Sequence, residues 1–84
     1  MTTKNKLKKM LTDRGMFEYQ ASVVLAEAIS QIEKIVPEYD FTWDRPAEEY
    51  PEIMYDVFWL TLKDVAKKWI AENAPKAWFR PMFD

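Results

Sequence analysis

The chain has 84 residues, a formal net charge of −2, 49% hydrophobic and 15% aromatic side chains, one glycine, and neither cysteine nor histidine. A chain of this length holds one core and hides only about 60–65% of the surface its unfolded form exposes, yet its apolar content is far from that of a disordered segment. Lack of cysteine and histidine excludes a disulfide framework, thiolate metal sites, a thiol nucleophile and the commonest general base, and a single glycine excludes a Gly-rich phosphate loop.

In chain order, Lys4–Arg14 suits a short helix with Leu7, Met10 and Leu11 on one side. Gly15 then reads as its stop, because the residue just past a helix C-terminus often takes the left-handed conformation that glycine adopts cheaply. Lysines near the start of this helix oppose its dipole, so they are either tolerated surface groups or contact residues. Met16 and Phe17, beside the turn, are expected to pack against both neighbouring helices.

A second helix is predicted from Glu18 to Val36, where Ala21, Val24, Leu25, Ala28, Ile29, Ile32 and Ile35 or Val36 recur at helical spacing. Pro37 ends it, since residues before proline avoid the α region. Residues 37–50 are irregular, but Tyr39, Phe41, Trp43 and Tyr50 argue that this stretch is anchored rather than free. Asp44 is placed to cap a helical turn across Pro46–Glu49.

The third predicted helix runs from Pro51 to Glu72 or Asn73, roughly 33 Å at ~1.5 Å per residue. One stripe carries Met54, Phe58, Thr61, Leu62, Val65 and Trp69; a second carries Ile53, Val57 and Leu60; Tyr55, Trp59 and Ala66 border both. Between Ile53 and Leu62 the helix is therefore apolar almost all round, and something must cover its second side. The tail from Pro75, with Trp78, Phe79, Met82 and Phe83, is expected to fold back over this helix. The predicted architecture is all-α: one domain over residues 1–84, a small three-helix bundle with a docked aromatic C-terminal tail. Its expected core is Leu11, Val24, Leu25, Ala28, Ile29, Ile32, Met54, Val57, Phe58, Leu62, Val65 and Trp69.

Charge is unevenly spread. Lys4, Lys6, Lys8, Lys9 and Arg14 against Asp13 give +4 over residues 1–14, while Glu38, Asp40, Asp44, Glu48, Glu49, Glu52 and Asp56 against Arg45 give −6 over residues 38–56. The two blocks either attract a charged partner or attract each other. Glu48, Glu49, Glu52 and Asp56 form a candidate acidic patch; acidic residues at the start of a helix are ordinarily dipole-favourable surface groups, and no EF-hand loop with its glycine is present. Neither a metal nor another cofactor is expected.

Ser22 and Ser30 lie inside a helix without a neighbouring base, so no catalytic constellation is found and enzymatic activity is not expected. The basic cluster lacks interleaved aromatics and a recognition helix, which makes nucleic acid an improbable partner. Trp43, Tyr55, Trp59, Trp78, Phe79, Arg80 and Phe83 are the candidate partner-contact residues, because aromatics and arginine concentrate at interface centres; the competing reading makes the same aromatics core anchors.

The run Trp59-Leu-Thr-Leu-Lys-Asp-Val-Ala-Lys-Lys-Trp69, followed by Ala74-Pro-Lys-Ala-Trp-Phe-Arg-Pro-Met-Phe83, resembles the C-terminal end of small accessory proteins of tailed bacteriophages. The resemblance covers about 25 of 84 residues, carries no catalytic motif, and implies a setting in which short proteins bind and redirect or inhibit host machinery. The expected function is a non-enzymatic binding module that modulates a cytoplasmic bacterial protein by stoichiometric contact, homo-oligomeric through the third helix. Two alternatives are a small-ligand binder, in which Trp43 and Trp78 stack on a nucleotide whose phosphate a Lys or Arg holds, and an acidic nucleic-acid mimic. No uncharged stretch approaches the ~20 residues of a membrane span, and a cytoplasmic location is expected.

Overall fold

The computed structural model describes residues 1–73. It contains three α-helices, α1 (Thr3–Thr12), α2 (Glu18–Ile35) and α3 (Glu52–Asn73), and a 3-10 turn at Ala47–Glu49. The chain is a small all-α three-helix bundle, and among the described residues the only extended pairing is an isolated bridge between Thr2 and Pro46.

Gly15 closes α1 as its position suggested. Its φ is 104°, its N–H donates to the Thr12 carbonyl at 3.0 Å, and the next N–H, of Met16, reaches the Leu11 carbonyl at 3.4 Å. These two backward bonds satisfy carbonyls that the helix end would orphan, and the buried Met16 and Leu11 supply the apolar contact that accompanies such a stop. Phe17 departs from expectation: it is 56% exposed and stacks on Tyr19 with centroids 6.4 Å apart. Its backbone, extended at φ −71° and ψ 154°, starts α2, and its N–H donates to Gln20 Oε1 at 3.0 Å. Val36 leaves the helical region ahead of Pro37, at φ −128° and ψ 72°.

The start of α1 shows why its lysines are tolerated. Thr2 Oγ1 accepts the Asn5 N–H at 3.1 Å, and the Thr2 carbonyl accepts that of Lys6 at 2.9 Å. The N–H groups of Thr3 and Lys4 donate to the carbonyls of Arg45 and Trp43, each at 2.9 Å, and Ala47 N–H returns a bond to Met1 O. The open donors of Thr3, Lys4 and Asn5 are thus satisfied, two of them by the irregular segment, and the Lys6 bond begins the regular helical ladder. The oppositely charged blocks also meet, with Lys6 Nζ 2.9 Å from Glu52 Oε1. Pro46–Glu49 does make a short turn, but Asp44 does not cap it: Pro46 occupies the cap position, without a side-chain bond.

Phe58 is the hub of the core. Its ring, 1% exposed, meets Trp43 at 5.3 Å, Tyr50 at 5.6 Å, and Phe41 and Tyr55 at 6.0 Å, all edge-on. Leu7, Leu11, Val24, Leu25, Ala28, Ile32, Leu62 and Val65 are buried around it. Ile29, Met54 and Trp69, expected in the core, lie half-buried at its edge. Val57, also expected there, faces out at 52% exposure, because the buried face of α3 is centred on Tyr55, Leu62 and Ala66 and so lies further round toward α1. The expected docking of the tail concerns residues 74–84, which lie outside those described.

Candidate functional site

Among the described candidate contact residues, Tyr55 is buried in the core while Trp43 and Trp59 lie half-buried at its edge. Tyr55, expected at a partner surface, is 2% exposed; its hydroxyl donates to the Ala47 carbonyl at 2.6 Å and Lys6 Nζ sits 4.0 Å from its ring centre. It is a core residue that fastens the 3-10 turn to α3. Trp59 is half-buried, with the Arg14 guanidinium 4.0 Å from its ring centre. At ~100° per residue it lies about 160° round α3 from Val57, on the side turned to α1. Trp43 stacks on Phe41 at 5.3 Å and donates its indole N–H to Glu33 Oε1 at 2.8 Å. Trp78, Phe79, Arg80 and Phe83 lie outside the described residues.

The acidic patch is partly neutralised from within. Glu52 is held by Lys6, and Glu49 Oε2 lies 3.5 Å from Arg45 Nε; Glu48 and Asp56 make no ion pair among the described residues. The hydrogen bond that Lys6 donates to Glu52 raises the Lys6 pKa above its ordinary value, an effect opposed in part by desolvation. Among the described residues no three acidic side chains converge as a metal site would require.

The second stripe of α3 emerges uncovered by α1, α2 or the irregular segment. Ile53 is 67%, Val57 52% and Leu60 68% exposed. Spaced four and three residues apart, they form one aliphatic ridge along two turns of a long helix. Sequence reasoning identified this stripe but placed the contact on its aromatic neighbours, because residue type pointed there; only the rotation of α3 about its axis shows which side faces out. Tyr19 and Val23 form another exposed apolar pair, one turn apart at the start of α2.

Pairing of α1 with α2 creates a feature that the sequence did not show. Lys8 Nζ reaches Glu18 Oε1 at 3.2 Å, and beside this pair runs a groove of ≈ 520 Å³ floored by Leu25, Ala26 and Ile29 and edged by Lys4, Lys8 and Trp43. Asp44 also lines it. Lys4 makes no ion pair among the described residues, whereas Lys6, Lys8 and Lys9 each have a carboxylate. Signals for such a groove exist only once two helices are aligned, since its lining comes from segments about 20 residues apart.

Among the described residues no helix is long and apolar enough to cross a membrane. Comparison with protein-family models, curated proteins and solved structures finds no match.

Proposed function

We propose that this chain is a non-enzymatic protein-binding module that presents the Ile53–Val57–Leu60 ridge of α3 to another protein. The observation that carries the reading is the exposure of three large aliphatic side chains in one line, on a helix whose opposite face is already fully used by the core. Burial of such a ridge is favourable by about 25 cal/mol per Å² of apolar surface, and a helix presenting anchors at this spacing is a recurrent recognition surface. In the setting suggested by the phage-protein resemblance, the partner is a bacterial cytoplasmic protein whose activity the contact modulates. The test is capture from bacterial lysate by the full chain beside its Leu60→Glu variant. A protein retained by the parent and lost by a variant of equal melting temperature supports the reading; equal retention by both excludes the ridge as the contact.

A second reading is favoured by the α1–α2 groove. Trp43, Lys4 and Lys8 border one apolar floor, a combination suited to a small aromatic anion such as a nucleotide. Saturation well above the dissociation constant would stabilise the fold by ~2–3 kcal/mol, so a melting temperature unmoved by a nucleotide panel removes this reading. The nucleic-acid-mimic alternative draws less support, because Lys6 and Arg45 already answer two of the four carboxylates in its patch.

A further inference from the structure

Contacts within the bundle fix the order of side chains along the α1–α2 groove. Lys8 is paired with Glu18, and Ser22, one turn further on, donates its hydroxyl to the Glu18 carbonyl at 3.0 Å, so Lys8 and Ser22 mark one end. Trp43 marks the other, because its indole is bonded to Glu33, one turn beyond Ile29; Asp44 follows it in the chain and lines the same end. Lys4 stands between, one turn from Lys8 and joined through its backbone N–H to the Trp43 carbonyl. From Ser22 to Ile29 the floor runs about 10 Å at ~1.5 Å per residue, and at ≈ 520 Å³ the space is of small-molecule size.

Two charges on this border are unanswered: Lys4 and Asp44 make no ion pair among the described residues. Trp43 has one face on Phe41 and its N–H committed to Glu33, so it is held in place and offers a ligand only ring surface. The open N–H groups at the start of α1 are satisfied internally, so an anion in the groove must be held by side chains. Lys4 is free for it, and Lys8 has donors to spare beside Glu18; one free and one shared ammonium suit a single phosphate better than three. Asp44 repels an anion from the Trp43 end and, being acceptor-only, asks for N–H groups there. Among the common nucleobases only guanine presents two adjacent donors, N1–H and N2–H, to match two carboxylate oxygens. Adenine and cytosine set an acceptor beside the amine, and uracil flanks its N–H with carbonyls.

We propose that the groove binds a guanine nucleoside monophosphate, with the base on Trp43, its N1–H and N2–H donated to Asp44, and the phosphate at the Lys4–Lys8 edge. The proposal rests on the reading of this groove as a nucleotide site and names the base and its orientation.

Isothermal titration calorimetry of the full chain against guanosine, its 5′-monophosphate and inosine 5′-monophosphate tests each part. Inosine monophosphate differs from the guanine nucleotide only in lacking the 2-amino group, and it should bind about tenfold more weakly, the loss of one hydrogen bond to a charged group. Asp44→Asn should remove most of that preference, whatever it does to the affinity for either nucleotide. Lys4→Gln should weaken the monophosphate and leave guanosine unchanged. Neither side chain makes a bond within the described residues, so both variants should melt with the parent. Equal affinity for the two monophosphates, or a preference that survives Asp44→Asn, overturns the assignment of the base and leaves the groove standing as a nucleotide site. A monophosphate bound no more tightly than guanosine by the parent overturns the placement of the phosphate. Binding of none of the three overturns the nucleotide reading of the groove and this inference with it.

Discussion

Phe58 touches four other rings, those of Phe41, Trp43, Tyr50 and Tyr55. Truncation to alanine removes the ring against which Phe41, Trp43 and Tyr50 rest, and partial collapse cannot refill a space lined by rigid aromatics. Phe58→Ala should cost about 3–5 kcal/mol, measured by urea denaturation of the full chain. At the surface the stakes are smaller. Lys6 has a pKa raised by its hydrogen bond to Glu52, so the stabilisation from this contact is complete below the unfolded lysine value and is lost as pH climbs through the higher folded value. An NMR titration should place the Lys6 midpoint above the ordinary lysine value, and Glu52→Gln should lower it; an unchanged midpoint would show that the contact does not persist in solution.

At the scale of elements, Gly15 is the position where one methyl group matters most to the connection of two helices. Its φ of 104° puts a Cβ in steric conflict, so Gly15→Ala should destabilise the protein by about 1–2 kcal/mol and lower the melting temperature by roughly 4–16 °C for a domain of this size. Such punctuation was plain in the sequence: the Gly15 stop, the break before Pro37 and the start of α3 just after Pro51 each follow from local backbone sterics, and the helix bounds agree with the apolar spacing to within a residue or two. The orientation of α3 was harder to read. A helix apolar on nearly all sides offers no preferred face, and the choice of Tyr55 over Val57 for the interior is made by α1 and by the Ala47 carbonyl, which come from distant parts of the sequence. Phe17 misleads for a related reason: Met16 is the residue buried beside the turn, and Phe17 stacks on Tyr19 at the surface instead.

Across the whole molecule, the uneven charge that the sequence displays is spent largely at home. Lys6 meets Glu52, Lys8 meets Glu18 and Lys9 meets Asp13, so the basic start and the acidic middle are partners before they are attractants. Exposed pairs of this kind contribute little each; the stronger link between the two blocks is backbone to backbone, through Thr3, Lys4 and Ala47. Lys4 at the edge of the α1–α2 groove and Asp56 and Lys63 beside the α3 ridge, which make no ion pair among the described residues, stand out only after the internal pairs are assigned; of the candidates chosen by chemical type, Trp43 and Asp56 lie at these edges.

The amides at the beginning of a helix ordinarily trade their hydrogens with solvent at once, having nothing to hold them. Those of Thr3 and Lys4 are gripped by a stretch whose own aromatics are wedged around Phe58, so they can be released only when that wedge loosens. In deuterium exchange they should be retained as long as amides of the helix interiors, and Phe58→Ala should free them first. Two amides at one end of the chain thereby report on the integrity of a ring cluster whose hub, Phe58, is more than 50 positions away.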